Sequence, residues 1–121
     1  MKKVILLILY RIKTGLEQLS QDIQIIKNEL TFHLYNGQCD RDMYTFYSEN
    51  YDAKCKLYDA IKRKFEIVQE LVKIKIVTMG FTEPELIVFN TYIEAIESGM
   101  KVVESTLKRY DACLKIYRNN M

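Results

Sequence analysis

The last third of the chain contains ten apolar residues in succession that are spaced alternately three and four positions apart. No charged residue interrupts this run. A 3.5-residue repeat keeps one narrow stripe of a supercoiled α-helix facing a partner, whereas the side chains of a β-strand alternate with a period of two. The run therefore predicts long, packed helices. Its members are Leu86, Phe89, Ile93, Ile96, Met100, Val103, Leu107, Tyr110, Leu114 and Tyr117.

Two earlier runs show the same spacing, and we call the three runs the core seams. The first consists of Ile5, Leu9, Ile12, Leu16, Leu19, Ile23, Ile26, Leu30 and His33. The second consists of Tyr44, Tyr47, Tyr51, Lys54, Tyr58, Ile61, Phe65, Val68, Val72, Lys75 and Met79. Together they predict an all-α fold, an antiparallel bundle of three long helices with coiled-coil-like heptad packing.

Turn and capping residues separate the three runs. Gly37 can take the left-handed conformation that ends a helix, and Asp40 is a plausible N-cap for the next one. Gly80 ends the second helix, and Thr82 with Glu85 forms a capping box at the start of the third. Connections this short make consecutive helices antiparallel neighbours. The predicted helices, all within one domain over 1–121, cover about 2–36, 40–79 and 83–119.

Composition narrows the class of protein further. A chain of 121 residues that is 49% hydrophobic is long enough to bury a core without a disulfide or a metal. The net charge of +2 is too small to imply a nucleic-acid or membrane partner. Three cysteines without a CxxC pair favour reduced thiols and a cytoplasmic location. Abundant Ile, Lys and Tyr are typical of AT-rich coding, as in microbes and viruses.

The N-terminus superficially resembles a signal peptide, because two lysines precede an apolar run from Val4 to Tyr10. The run is too short for a membrane span, which needs about 20 apolar residues. No small-residue cleavage site follows it, and Arg11 and Lys13 come next. We therefore expect the start of a helix that is buried on several sides.

A second apolar column runs along helix two and another along helix three, each about 110° from the core seam of its helix. In a closed triangle of three helices, the two neighbours of each helix lie only about 60° apart around its axis. A monomer would then leave these columns exposed, and large exposed apolar patches mark association sites. A wide core stripe is the alternative explanation. We predict a partner interface formed by Phe46, Leu57, Ile67, Leu71, Ile74, Val88, Tyr92, Ala95, Gly99, Val102 and Thr106.

The small residues of helix three would let another helix approach closely. If Gly99 contacts a second molecule, Gly99→Leu should dissociate the assembly. If Gly99 lies inside the monomer, the same change should instead disturb folding. Three aromatic residues off the core seams are further interface candidates, namely Phe32, Tyr35 and Phe46.

These columns predict a non-enzymatic interaction or structural subunit that self-associates or docks onto another helical protein through helices two and three. The alternative is an accessory nucleic-acid-binding protein that uses basic residues of helix two. Backbone recognition needs such charges gathered on one face, and here acidic residues interrupt them. The candidate contacts are Lys56, Lys62, Arg63 and Lys64.

Catalysis has little support in the sequence. His33 and Cys39 could form a Cys–His pair, but no oxyanion hole or Gly-rich loop accompanies them. A disulfide between Cys55 and Cys113 is not expected, because folding about residue 81 leaves them about 9 Å apart along the axis. We expect no catalytic residue, no cofactor and no metal site.

The first prediction concerns the core seam of helix three. Leu107→Asp should unfold the domain, because it would bury a carboxylate without a partner at a cost of several kcal/mol. Thermal unfolding followed by circular dichroism measures this effect. A cooperative transition near the parent temperature would show that the seam is not the core.

Overall fold

A computed structural model of the chain contains three α-helices: α1 (Lys2–Tyr35), α2 (Arg41–Met79) and α3 (Glu83–Asn119). It describes residues 2–121, apart from the side chains of residues 75–79. The predicted fold class is confirmed, and each helix bound lies within one residue of its expected position. Consecutive helices are antiparallel, so that α1 and α3 run in the same direction.

The predicted caps are present at both turns. Gly37 and Gly80 have positive φ angles of 66° and 62°, a conformation that glycine adopts without steric cost. The Asp40 side chain accepts a hydrogen bond from the Asp42 amide. At the start of α3, the Thr82 amide donates to Glu85 Oε1 (3.0 Å) and the Glu85 amide donates to Thr82 Oγ1 (3.4 Å). The Thr82 hydrogen bonds and nearby Lys2 lower the pKa of Glu85 to about 2.

The three core seams form the interior of the bundle. The apolar seam positions are buried or partly buried, and Lys54 and His33 are partly buried as well. Lys75 and Met79, two expected members of the α2 seam, lie outside the described side chains. The fully enclosed positions include three tyrosines and side chains from both ends of α1; among them are Leu9, Ile23, Leu30, Tyr47, Ile96, Val103, Tyr110 and Tyr117.

The parallel pair α1 and α3 makes the most extensive contact of the bundle. Three contacts mark its register: Lys2 Nζ to Glu85 Oε1 at 3.1 Å, Leu16 beside Gly99, and Thr31 Oγ1 to Cys113 Sγ at 3.9 Å. The sequence separations are 83, 83 and 82 residues, so the two helices stay in step over this length. No loop connects them directly, and side-chain packing therefore sets their register.

Tyrosines of α3 fasten the turn between α1 and α2. The Tyr117 hydroxyl donates to the Gln38 carbonyl oxygen (2.9 Å) and accepts from the Asp40 amide (2.9 Å). Two helical turns earlier along the core, the buried Tyr110 hydroxyl donates to the Tyr47 carbonyl oxygen (2.7 Å). Burial raises the pKa of Tyr110. The C-terminal end of α3 thus holds a turn that is about 80 residues away in sequence.

We predict that Tyr117→Phe destabilises the domain by about 1 kcal/mol, because it removes hydrogen bonds that satisfy both Gln38 and Asp40. Urea unfolding of the two proteins measures this difference. Tyr35→Phe is the matched control, since Tyr35 is 87% exposed and should tolerate the change. Equal losses for both variants would show that the tyrosine hydroxyl does not hold the turn.

Gly99 and Gly80 should respond in opposite ways to alanine. A Cβ at Gly99 would lie 3.6 Å from Leu16 Cβ and Cδ1, an ordinary van der Waals contact. Gly99→Ala should stabilise the helix by about 0.5 to 1 kcal/mol through its higher helix propensity. Gly80→Ala should cost about 1 kcal/mol, because L-residues resist a positive φ. Urea unfolding tests both, and a destabilised Gly99→Ala would contradict the packing described for α1 and α3.

Candidate interaction surface

The second apolar column of α2 lies on the outside of the bundle, and we call it the outer seam. Its large apolar side chains are exposed, from 37% at Leu71 to 75% at Ile74. It spans 29 residues, with about 42 Å of helix between its first and last members. Nine positions alternate in spacing between three and four residues; they are Phe46, Asn50, Ala53, Leu57, Ala60, Lys64, Ile67, Leu71 and Ile74.

Helix geometry explains why the bundle cannot cover the outer seam. Tyr58 faces α3, where its hydroxyl donates to Glu104 Oε1 (2.5 Å), and Ile61 faces α1, where its Cδ1 lies beside Gly15. Each step of three residues turns the helix by about 60°, so Lys64 lies a further 60° beyond Ile61. A triangular bundle uses the sides of Tyr58 and Ile61 only. The third side therefore faces outwards.

The corresponding column of α3 is divided, which differs from the expectation that it would be exposed along its length. Val88 and Val102 are exposed, but Ala95 and Gly99 are partly buried and Gly99 lies against Leu16 of α1. Tyr92 is also partly buried, and its ring lies edge-on to that of Tyr10, with 6.4 Å between the ring centroids.

Thr106 is buried inside the bundle, and its hydroxyl donates to the Val102 carbonyl oxygen (2.8 Å). It is therefore not available to a partner of this monomer. The close approach that the small residues of α3 predicted is an approach of α1. From Tyr92 to Gly99 and at Thr106 the column packs within the monomer, as the alternative explanation of a wide core stripe expects, whereas Val88 and Val102 stay exposed.

The candidate nucleic-acid contacts do not all lie on one face of α2. Lys62 lies in the groove between α2 and α3, which Glu66, Glu97 and Glu104 also line. Lys56 and Arg63 are exposed on the outer side of α2, whereas Lys64 belongs to the outer seam. Phosphate binding requires basic side chains on a common face. Nucleic-acid binding stays a prediction that this arrangement does not strengthen.

The start of α1 is less buried than expected. Ile5 and Leu9 are in the core, but Val4, Leu7 and Tyr10 are about half exposed. A core-facing stripe needs only three or four apolar residues in every seven. The run of seven apolar residues from Val4 to Tyr10 exceeds that need, so its length alone indicates that some of its side chains stay outside the core.

The His33 and Cys39 side chains line one concave surface at the turn between α1 and α2. His33 Nδ1 is 2.9 Å from Gln38 Oε1, so a turn residue occupies one ring nitrogen. Cys39, Cys55 and Cys113 are free thiols and partly buried, and burial raises the pKa of Cys55. Among the side chains that the structure describes, no group of three His, Cys, Asp or Glu residues could hold a metal ion.

The three aromatic candidates lie near the end of the bundle that contains the first turn. Phe32, Tyr35 and Phe46 are all exposed. The Phe32 ring packs edge-on to His33, and the Phe46 ring to Tyr47, so both connect surface aromatics to core-seam residues. Phe46 is also the first member of the outer seam, which makes it the aromatic residue nearest to the candidate interface.

Within the residues described, no helix is both long enough and apolar enough to span a membrane. The chain matches no protein-family model, no curated protein and no solved structure.

Proposed function

We propose that this protein is a non-enzymatic interaction or structural subunit that binds another α-helix through the outer seam of α2. The observation that carries this proposal is that the seven apolar residues of the outer seam have heptad spacing and stay exposed over about 42 Å of helix. Exposed apolar patches of this extent mark protein–protein contacts in soluble domains. The alternating spacing of three and four residues favours a helical partner, since knobs-into-holes packing needs this repeat on both surfaces.

The energetic reason for binding is burial of aliphatic side chains. Complete burial of one Leu or Ile contributes about 1.5 to 3 kcal/mol, and a half-exposed side chain about half as much. Four such residues contribute to the outer seam: Leu57, Ile67, Leu71 and Ile74. Asn50 and Lys64 weaken association, but polar residues at such positions restrict the register and orientation of a partner helix.

Two further features accompany this proposal. We place the subunit in the cytoplasm, because its three free cysteines suit a reducing compartment. The exposed heptad spacing of the outer seam supports association of the protein with a second copy or with another helical protein. The proposal assigns no reaction to His33 or Cys39.

The test is capture of a partner from an extract of cells that express the protein, with the tagged full chain as bait. Leu57→Lys combined with Ile67→Lys should abolish capture, because two ammonium groups would have to lose their hydration at the interface. Helicity and melting temperature should be unchanged, since both positions are exposed. Quantitative mass spectrometry of the retained proteins provides the measurement.

A matched control introduces the same charge away from the outer seam. Thr45→Lys combined with Ala112→Lys alters two other exposed, uncharged positions and should leave capture intact. Equal capture by the seam variant and the control, or no retained protein with any bait, would contradict the proposed function.

A further inference from the structure

One side of α1 near its start is apolar and yet exposed, and neither the core nor the outer seam accounts for it. Leu7 lies nine residues before Leu16, which contacts Gly99 of α3, so Leu7 is about 180° round α1 from that contact. Val4 and Tyr10 are three residues before and after Leu7 and lie within about 60° of it. The exposed fractions are 53% for Val4, 48% for Leu7 and 49% for Tyr10.

Two basic residues flank this apolar side. Lys3 and Arg11 lie four residues before and after Leu7, within about 40° of it, and both are exposed. The side therefore has an apolar centre with a cation at each end. We call it the α1 patch, and its members are Lys3, Val4, Leu7, Tyr10 and Arg11.

The charge at this end of the protein is locally high. Whereas the whole chain has a net charge of +2, residues 2–16 contain four basic residues and no Asp or Glu. Lys2 is bound to Glu85 of α3 (3.1 Å), and this pair belongs to the contact between the helices. Lys13 is bound to Glu17 (2.7 Å). Among the side chains that the structure describes, neither basic residue of the α1 patch is in an ion pair.

Polar and acidic residues limit the extent of the α1 patch. Further along the same side of α1, Gln18, Gln21 and Asp22 lie within about 60° of the centre of the patch. On α3, Glu94 is exposed, but it lies five residues before Gly99 and is therefore about 140° round that helix from α1. The basic and apolar surface is thus confined to about 12 Å of helix at one end of the bundle.

We infer that the α1 patch binds the surface of a membrane that contains anionic lipids, without spanning it. This inference is independent of the proposed function, which uses α2. Interfacial helices bury apolar side chains at the boundary between headgroups and acyl chains, and their basic side chains contact the anionic headgroups. Tyr10 suits this boundary, because its ring is apolar and its hydroxyl is polar. The cytoplasmic leaflet is anionic, which agrees with the proposed cytoplasmic location.

The small size of the α1 patch favours a lipid surface over a protein partner. A specific protein–protein interface buries about 800 Å² on each partner, whereas the patch offers only three half-exposed apolar side chains. A lipid surface needs no matching shape, and each basic residue near an anionic surface strengthens binding about fivefold. Membrane binding therefore gives a use to the apolar side chains at the start of α1 that the core leaves outside.

The test measures binding of the purified full chain to vesicles by co-sedimentation. Vesicles of phosphatidylcholine with about 30% phosphatidylglycerol should bind the wild type about twentyfold more tightly than pure phosphatidylcholine, because two cations face the lipid. Lys3→Glu combined with Arg11→Glu should remove at least this difference. Leu7→Gln should weaken binding to the anionic vesicles about fivefold, since a half-exposed leucine no longer enters the lipid.

Matched controls make the same changes outside the α1 patch. Lys101→Glu combined with Lys108→Glu alters the net charge equally at two exposed positions. Ile25→Gln removes an apolar side chain that is 57% exposed on the same helix. Both controls should bind anionic vesicles within about twofold of the wild type, because charges far from the lipid are screened. Circular dichroism should show the wild-type helicity for every variant.

Three results would overturn the inference. They are no binding of the wild type to anionic vesicles, equal binding to pure phosphatidylcholine, and equal weakening by the patch variants and their controls. Capture of a protein that depends on Leu7, without vesicle binding, would also overturn it, because a protein would then be the occupant. None of these results bears on capture through the outer seam, so the proposed function is tested separately.

Discussion

The parallel contact between α1 and α3 is the constraint on which the rest of the structure depends. These helices are the first and last of the chain, and their register is maintained from Lys2 with Glu85 to Thr31 with Cys113. Gly99 lies beside Leu16 in the middle of this contact, with room for a Cβ between the two helices. Because α2 must pack into the remaining side of the pair, the close approach of α1 and α3 also decides which face of α2 stays outside.

The two ends of the bundle are closed in different ways. At one end, the capping box of Thr82 and Glu85 is reinforced by Lys2, an arrangement that uses exposed charge. At the other end, Tyr117 of α3 satisfies backbone groups of the turn at Gln38 and Asp40, and Tyr110 bonds the Tyr47 carbonyl oxygen of α2. Buried hydrogen bonds between distant segments make the turn part of the cooperative core. The outer seam lies between these two ends and takes part in neither closure.

A three-helix bundle has an inherent consequence for a helix with two apolar stripes. Its contacts use adjacent sides of the helix, so a stripe that lies about 120° from one of them has no neighbour. In α3 the second stripe adjoins α1, where Gly99 packs against Leu16 and Thr106 is buried. In α2 the second stripe has no neighbouring helix, and Leu57 and Ile67 remain exposed. The proposed function follows from this difference between two helices with similar patterns.

The sequence by itself determined the helices, their ends and the core seams. These features depend on local spacing and on caps such as Thr82 with Glu85, which need no distant partner. Only the tertiary structure decided which second stripe is covered, because a helix with two apolar stripes can turn either one to a neighbour. The same reason explains the incomplete prediction for α1, where seven consecutive apolar residues left open which of them would be buried. Ile5 and Leu9 face the core, whereas Leu7 faces outwards, and the packing of α1 between α2 and α3 made that choice.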